Sequence, residues 1–389
     1  MTGFGDGLAV GPDLVHAAEE AANDAMTPLA GRRPDMMCVF VCSDDPAAVQ
    51  AAAFRAMEVT GAATTLGCSA GGVIGAGRGA EMTNAVSVWA AHLPGVRCRS
   101  FQLDVVRTED GVGVTGMPER HDDDAVAVLL ADPYTFPADT FVERSHEALG
   151  GLPLIGGLAS GARAPGSSRL FVDGRSVEQG AVGVLLGGPV DVHSLVSQGC
   201  RPIGPSMAVT KADGNMLLEL AGVPALSKLE TIVQDLSPED RASVANGLHV
   251  GIAMDEYALD HERGDFLIRG VVGADRERDA IAIGDVVEVG RTVRFQLRDA
   301  AAAEEDLEQM FSRCRTEIGT VDGALLFSCN GRGRAMFGSA DHDVLAVQQG
   351  LGISGVAGFF AAGEIGPVAG RNHMHGFTAS ILAFGPPRS

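Results

Sequence analysis

The chain has 389 residues, of which 46% are hydrophobic and 52 are glycine. This composition is typical of a buried, tightly turned α/β core and argues against disorder, and the length suggests two domains. The net charge is −21, and lysine occurs only at Lys211 and Lys228. Because contacts to phosphate need clustered basic side chains, this charge argues against a nucleic-acid partner and against an anionic membrane surface.

The sequence shows no targeting or membrane signal. Residues 1–14 lack a basic region followed by an apolar core, and no run of 18 apolar residues occurs. The seven cysteines have no CxxC spacing, which favours reduced, buried thiols over disulfides or a zinc site. We therefore expect a cytoplasmic protein without membrane insertion and without a bound metal.

Hydrophobic periodicity predicts an alternation of helices and strands from the start of the chain. A helix with an acidic face follows Pro12, and a strand that ends in the glycine-rich turn GCSAGG begins near Thr64. The remaining predicted elements of this part are a strand at Met36–Cys42, a helix at Pro46–Thr60, a strand at Ala85–Leu93 and its hairpin partner at Val96–Leu103.

The same pattern recurs twice more along the chain. GCSAGG at residues 67–72, GGLASG at 156–161 and GFFAAGEIG at 358–366 occupy equivalent points in three strand–helix–strand–strand units. The glycines mark points where strands of different units come close together, near a shared cleft. The second unit contains Ala125–Ala131, Thr140–Leu149, Leu152–Gly161 and Ala181–Leu186, and the third contains Gly323–Ser328, His342–Gly350, Gly352–Glu364 and Phe377–Phe384.

A connecting segment with three prolines separates the second unit from the third. We place a domain boundary in it near Gly222, which gives domains at residues 1–222 and 223–389. Four further strands are predicted within Leu248–Asp299, followed by a helix at Ala300–Thr316. The predicted fold is α/β (α+β): two related lobes of mixed β-sheets, packed together with helices on the outside and built from the repeated units.

Glu364 is the only ionisable residue between Gly350 and Gly370. An unpaired carboxylate in apolar surroundings loses hydration worth several kcal/mol, so this acid should be paired, protonated or in a wet pocket. One interpretation is an internal salt bridge with Arg371 or Arg332, and the other is the wall of a ligand pocket.

Several motifs offer alternative chemistry. Gly67–Gly71 fits G-x-S-x-G, with Ser69 as the nucleophile, but a poor helix former follows where the motif needs a helix. Cys68 or Cys329 could act as a thiol nucleophile if a histidine such as His375 were adjacent. His373 and His375 share one strand face and could bind a metal or haem iron.

Four long stretches in order, together with GCSAGG, carry a resemblance to a known family over nearly the whole chain. The stretches are Ser197–Val209 (SQGCRPIGPSMAV), Phe266–Asp299, Ser328–Gly338 (SCNGRGRAMFG) and Gly358–Ser380. In them the chain resembles the FIST family, the sensory domain named for F-box and intracellular signal transduction proteins. The resemblance implies a non-enzymatic, small-ligand-binding sensor, with amino acids as the suggested ligands and a kinase or cyclase as the suggested protein partner.

An amino-acid ligand needs a cation for its carboxylate and an acid for its amine, and Arg332 and Glu364 could supply them. We expect no cofactor, although haem is the second interpretation because some relatives are haem-based nitric-oxide sensors. The third is an enzyme with a cysteine or serine nucleophile. The predicted ligand-binding residues are Cys68, Ser69, Arg201, Cys329, Asn330, Arg332, Glu364, Arg371 and His375.

Overall fold

The computed structural model describes residues 2–108, 111–245, 247–256, 261 and 264–386. Two compact units are present. The first contains Met1–Val196, Leu307–Met374 and Thr378–Ser389, and the second contains Ser197–Asp306 and His375–Phe377. Helices and mixed sheets alternate along the chain, so the predicted mixed α/β class is confirmed.

The elements up to residue 198 are, in chain order, β1 (Gly3–Val10), α1 (Leu14–Met26), β2 (Met36–Cys42), α2 (Pro46–Thr60), β3 (Thr64–Ser69), β4 (Gly72–Gly75), β5 (Arg78–Glu81), β6 (Ala85–His92), β7 (Arg97–Thr108), β8 (Gly111–Thr115), β9 (Asp124–Ala131), α3 (Ala138–Ala148), β10 (Leu154–Leu158), β11 (Leu170–Val172), β12 (Arg175–Val177), β13 (Ala181–Gly187) and β14 (Val192–Gln198).

The remaining elements are β15 (Cys200–Asp213), β16 (Met216–Leu220), β17 (Val223–Pro224), α4 (Ala225–Gln234), α5 (Pro238–Ala245), β18 (Leu248–Ala253), β19 (Phe266–Asp275), β20 (Ala280–Ile283), β21 (Thr292–Arg298), α6 (Ala300–Glu317), β22 (Gly323–Cys329), α7 (Gly333–Phe337), α8 (His342–Leu351), β23 (Val356–Ala361), β24 (Glu364–Val368), β25 (Arg371–His375) and β26 (Thr378–Phe384).

Local sequence explains why α2 begins and ends where it does. The Asp45 side chain accepts hydrogen bonds from the backbone N–H groups of Ala47 and Ala48, and Pro46 occupies the first helical position. Gly61 ends the helix in the left-handed conformation with φ of 56°. The alanine-rich face of α2 packs against the first sheet, where β2 is buried along its whole length.

The first unit is built from three copies of one repeat. Each copy has a parallel strand pair joined through helix, namely β2–β3 through α2, β9–β10 through α3, and β22–β23 through α7 and α8. An antiparallel strand returns beside the first strand of each pair: β6, β13 and β26, respectively. The predicted strand–helix–strand–strand units are therefore confirmed.

Each repeat adds a hairpin to the sheet of another repeat. The β4–β5 hairpin of the first repeat extends the third sheet beside β23, and β11–β12 of the second extends the first sheet beside β3. The third repeat adds β24 to β10 of the second sheet. This exchange brings the three glycine-rich strand ends close together: the Ser160 hydroxyl accepts from the N–H of Gly71 and donates to the carbonyl of Phe360.

One glycine in each repeat permits the close approach of the parallel pair. A Cβ atom added at Gly67, Gly156 or Gly358 would lie 2.2, 2.0 or 1.7 Å, respectively, from a backbone carbonyl oxygen of the neighbouring strand. Any side chain at these positions would overlap that oxygen. The matching positions give a physical reason for the repeated glycine pattern of the sequence.

The second unit is a seven-stranded sheet in the order β15-β21-β18-β19-β20-β16-β17. Its apolar core includes Val250, Phe295 and Leu297, and α4 and α5 contribute Ile232 and Val244 to it. The four strands predicted between residues 248 and 299 are all present. Among the described residues, none of the helices combines the length and the apolar character needed to cross a bilayer.

One predicted pairing is wrong. The segment Val96–Leu103 is a strand, β7, but it pairs with β13 and β8 and not with the strand at residues 85–92. The first repeat places β6 between β1 and β2, so both edges of β6 are already occupied. The next strand in the sequence, β7, therefore could not pair with β6.

Candidate functional site: a polar cleft and a buried charged cluster

A cleft of about 230 Å³ lies at the carboxyl ends of β2 and β3 in the first unit. Strands of a parallel pair end at the same edge of the sheet, and ligands of open α/β sheets bind outside such ends. We call this site the first-repeat cleft; its lining residues are Ser43, Asp44, Pro46, Val49, Ser69, Gly161, Arg163 and Ser167.

A second hollow of about 110 Å³ shares Ser43, Asp44, Gly161 and Arg163 with this cleft and extends to Met82. Small-molecule pockets usually have volumes of roughly 300–1,000 Å³, so the first-repeat cleft is of a size that suits a ligand smaller than most.

An ion pair joins two sides of the first-repeat cleft. The guanidinium of Arg163 donates to both carboxylate oxygens of Asp44 at 2.9 and 3.1 Å. The side chains are 72% and 77% exposed, so water screens their attraction and the pair is weak. A ligand with charges of both signs could therefore replace each partner at little cost.

Ser69 supplies a polar group at the base of the cleft. The residue is 3% exposed, and its hydroxyl oxygen accepts from the N–H of Arg169 at 3.0 Å. No acceptor for the hydroxyl hydrogen is found among the residues that the structure describes. By contrast, the first amides of α2 are already capped by Asp45, so the helix end adds little to anion binding.

A second polar group, which we call the Arg332 cluster, is buried in the third repeat and consists of Ser328, Cys329, Arg332, Asp343 and Glu364. Arg332 is fully buried and donates to the two carboxylate oxygens of Asp343 at 2.7 and 2.9 Å. The Ser328 hydroxyl donates to the same carboxylate at 2.6 Å. Arg332 thus forms a salt bridge with Asp343 on α8, whereas the sequence suggested that Arg332 or Arg371 would pair with Glu364.

The electrostatics of this ion pair follow from burial and proximity. Burial alone would raise the pKa of Asp343, but the charge of Arg332 and hydrogen bonds from His342, Arg332 and Ser328 hold that pKa well below its ordinary value. Burial also opposes the charge of Arg332, yet Asp343 raises the pKa of the guanidinium. Both groups are therefore charged at neutral pH.

Glu364 is fully buried at the start of β24. Its Oε2 atom accepts from the N–H and the hydroxyl of Thr378 at 3.2 and 2.8 Å. Its Oε1 atom has no hydrogen-bond partner among the described residues. Burial raises the pKa of Glu364 to about 8, although Thr378, Cys329 and Arg332 each lower it in part.

The structure brings some of the predicted site residues together and separates others. Cys329, Arg332 and Glu364 form one cluster, whereas Ser69 lies in the first-repeat cleft. Cys68 is fully buried in β3, and burial raises the pKa of its thiol well above the ordinary value.

The other predicted residues lie outside both groups. Asn330 and Arg371 are exposed, and the N–H of Asn330 donates to the carbonyl of Ala361. Arg201 belongs to the second unit, where Asp240 and Asp299 bind its guanidinium at 2.6 and 2.8 Å.

His375 also belongs to the second unit and is buried. The nucleophile elbow is absent at Gly67–Gly71, because the chain continues into strand β4 rather than into a helix.

Three polar residues of these sites were not predicted from the sequence. Asp44 follows the buried strand β2 and precedes a capped helix, a position where a polar side chain could have been suspected of facing a ligand. Asp343 lies in the first turn of a helix, where an acid usually faces solvent, and Arg163 lies in an irregular segment without a local pattern. Neither residue carries a signal that sequence alone could have identified.

The fold and these sites define a mixed α/β protein with an exchanged three-repeat unit, a second sheet unit and a polar cleft at parallel strand ends. The model of the FIST N domain matches residues 35–223, and that of the FIST C domain matches residues 225–367. The chain therefore belongs to the FIST family, whose domains are generally sensory domains of signal transduction.

Similar proteins occur in mycobacteria. Uncharacterized protein Rv0628c of Mycobacterium tuberculosis is 44% identical over 385 residues, which cover 98% of this chain and 99% of that protein. Uncharacterized protein Mb0898c of Mycobacterium bovis is also 44% identical over 385 residues, with 98% of each chain covered.

Proposed function

We propose that this protein is a cytoplasmic, non-enzymatic sensor that binds an amino acid or a related small carboxylate in the first-repeat cleft. The observation that supports the proposal is the exposed Asp44–Arg163 pair across a polar hollow. Arg163 would bind the ligand's carboxylate through two N–H groups, and Asp44 would bind an ammonium group. The bound state would be transmitted to a signalling partner such as a kinase or a cyclase.

The Arg332 cluster is a poorer candidate for the same ligand. Arg332 and Glu364 are both fully buried, and the guanidinium already holds a carboxylate in two-point contact. A ligand would have to displace Asp343 and leave that charge buried without its partner, which costs about 3–5 kcal/mol. The first-repeat cleft requires only the separation of an exposed pair.

Binding can be tested by thermal shift and calorimetry with the twenty amino acids and a set of small carboxylates. A ligand at about 100 times its Kd should stabilise the protein by roughly 2.7 kcal/mol. Arg163→Ala should weaken every carboxylate ligand about 10- to 150-fold, because a charge-assisted hydrogen bond contributes roughly 1.5–3 kcal/mol. Asp44→Asn should weaken only ligands that carry an amine.

Arg175→Ala is the matched control, since Arg175 is an exposed arginine of the same unit that does not line the cleft. A ligand whose affinity is unchanged in both Arg163→Ala and Asp44→Asn binds elsewhere, and this result would refute the assignment of the cleft. The absence of any stabilising compound would count against the ligand class.

A further inference from the structure

Two serine hydroxyls line the first-repeat cleft without an acceptor for their hydrogen atoms among the described residues. Ser69 is the last residue of β3 and is 3% exposed, and its oxygen accepts one hydrogen bond, from the N–H of Arg169. Ser43 follows β2, is half-buried and accepts one hydrogen bond, from the N–H of Asp45. Each hydroxyl therefore still has a donor available for a ligand.

Strand register explains why both hydroxyls reach the same cleft. Val41 of β2 is aligned with Ser69 of β3, and Ser43 follows Val41 by two residues. Aligned residues of neighbouring strands point to the same face of a sheet, and so do residues two positions apart in an extended chain. Both serines line the cleft, so one small ligand can contact both.

The other serines of the two hollows already have acceptors. The Ser167 hydroxyl donates to the carbonyl of Ala164 at 2.7 Å. The Ser160 hydroxyl, which lines the second hollow, donates to the carbonyl of Phe360. Once the exposed ion pair has bound the charged groups of an amino acid, the two available hydroxyls are left for its side chain.

The hydrogen-bonding pattern of these hydroxyls matches a side-chain amide. A serine hydroxyl has one donor and two lone pairs, and a backbone N–H already occupies one lone pair of each. The two groups together therefore offer two donors and two acceptor sites. An amide can use both kinds, because its oxygen accepts and its NH2 group donates. A carboxylate can use only the donors, and a hydrocarbon side chain can use neither.

Charge also favours an amide over a second carboxylate. Within the described part of the chain, Arg163 is the only cation that lines the cleft or the second hollow, and the α-carboxylate of the ligand occupies it. A side-chain carboxylate would have no cation of its own in a cleft that also contains Asp44. Desolvation of such an unpaired charge is unfavourable, whereas a neutral amide does not incur it.

We propose that Ser43 and Ser69 are specificity-determining residues, and that the ligand is an amino acid with a side-chain amide. The α-carboxylate binds Arg163, the α-ammonium group binds Asp44, and the amide forms hydrogen bonds with both hydroxyls. This inference rests on the proposed function, because it takes the positions of the α-groups from it.

The first experiment uses the unmodified protein and isothermal calorimetry with two sets of amino acids of similar length. One set is asparagine, leucine and aspartate, and the other is glutamine, methionine and glutamate. In the set that binds more tightly, the amide should bind at least about tenfold more tightly than the other two, because a site built for hydrogen bonds rejects a ligand that lacks them. Equal affinity for the amide and the apolar member, or tightest binding of the acidic member, would overturn the inference.

The second experiment removes the hydroxyls one at a time. Ser69→Ala and Ser43→Ala should each lower the ratio of amide to apolar affinity roughly two- to tenfold, the effect of one hydrogen bond. Ser43→Ala is included because Ser69→Ala also leaves the buried N–H of Arg169 without its acceptor. Ser176→Ala is the matched control, since the Ser176 hydroxyl is likewise buried without a partner among the described residues but does not line the cleft. An unchanged ratio in both test variants would refute the role of the hydroxyls.

The two proposals fail in different ways. Arg163→Ala should weaken all six amino acids by a similar factor and keep the preference for the amide. If the six bind without such a preference but depend on Arg163, the proposed function stands and only the present inference is wrong. If none of the six binds, the present inference is wrong, and the proposed function is wrong with it when the other amino acids and the small carboxylates do not bind either.

Discussion

Glu364→Gln should make the stability of the protein less dependent on pH. The pKa of Glu364 is raised by burial from its ordinary 4.5 to about 8. Between these values the folded protein holds a proton that the unfolded chain has released. Stability therefore falls as pH rises through this window, because unfolding releases that proton.

The size of the effect follows from the same values. A carboxyl group whose pKa rises from 4.5 to about 8 lowers the free energy of unfolding by roughly 4–5 kcal/mol between acid and alkaline pH, at about 1.36 kcal/mol for each pH unit. Gln has the same shape and no charge at any pH, so the variant loses this dependence. Relative to the parent, it should gain about 3 kcal/mol between pH 4.5 and pH 7, and the rest by pH 9.

Urea unfolding at several pH values measures this difference, with the fluorescence of Trp89 as the signal. Trp89 is the single tryptophan, is fully buried and lies in the same unit as Glu364. Its fluorescence therefore reports the unfolding of the unit that contains Glu364. Asp6, whose pKa burial raises to about 7, adds a similar slope to both proteins and cancels in the comparison. Glu308→Gln, at an exposed acid of the same unit, is the control. Parallel curves for parent and Glu364→Gln would show that Glu364 is solvated or paired, which would refute its assignment as a buried acid.

Two further predictions concern the framework around the sites. Asp343→Asn should destabilise the protein by about 3–5 kcal/mol in urea unfolding, because it leaves the charge of Arg332 buried without its partner. The double variant Asp343→Asn/Arg332→Met should recover part of that loss. If the losses of the two single variants simply add in the double variant, Asp343 and Arg332 do not interact directly. Gly358→Ala should cost about 1–3 kcal/mol or more because its Cβ would lie 1.7 Å from the carbonyl oxygen of Leu326. Gly270→Ala, where an added Cβ meets no atom within 4 Å, should change stability little, and equal losses in the two variants would exclude the steric explanation.

Much of the local structure could be predicted because its causes are local. The bounds of Met36–Cys42 and Pro46–Thr60 agree with the observed strand and helix, since a run of apolar residues, a capping aspartate and a terminal glycine all act within a few residues. The repeat could be predicted because the glycine requirement recurs at a fixed point in each copy. The hairpin exchange could not be predicted, because the sequence of a hairpin does not specify which distant sheet edge it pairs with.

The salt-bridge partners of the charged residues could not be predicted from the sequence either. Composition identified Glu364 as a buried acid that needs an explanation, and its burial and raised pKa agree with that inference. The partner of Arg332 depends on how α8 packs over the end of β22, and this packing places Asp343 at the guanidinium. Arg163 reaches Asp44 across 119 positions of chain, a contact for which periodicity provides no information.

The three strand ends show how one repeat can serve different roles. In the second repeat, Asp132 follows β9 and uses its carboxylate to bind Thr135 and Ser168, so that end is closed by the chain itself. The equivalent residue of the first repeat, Ser43, accepts a hydrogen bond from the N–H of Asp45 in its own loop and lines the open cleft.

In the third repeat the strand end contains the buried Arg332 cluster instead. A buried ion pair can often be replaced by apolar side chains without loss of stability, so packing alone gives little reason for one here. In every copy the parallel strands are already paired along their backbones. The polar side chains at the first strand end are therefore not needed to hold the strands together, and this is the end where a ligand is proposed.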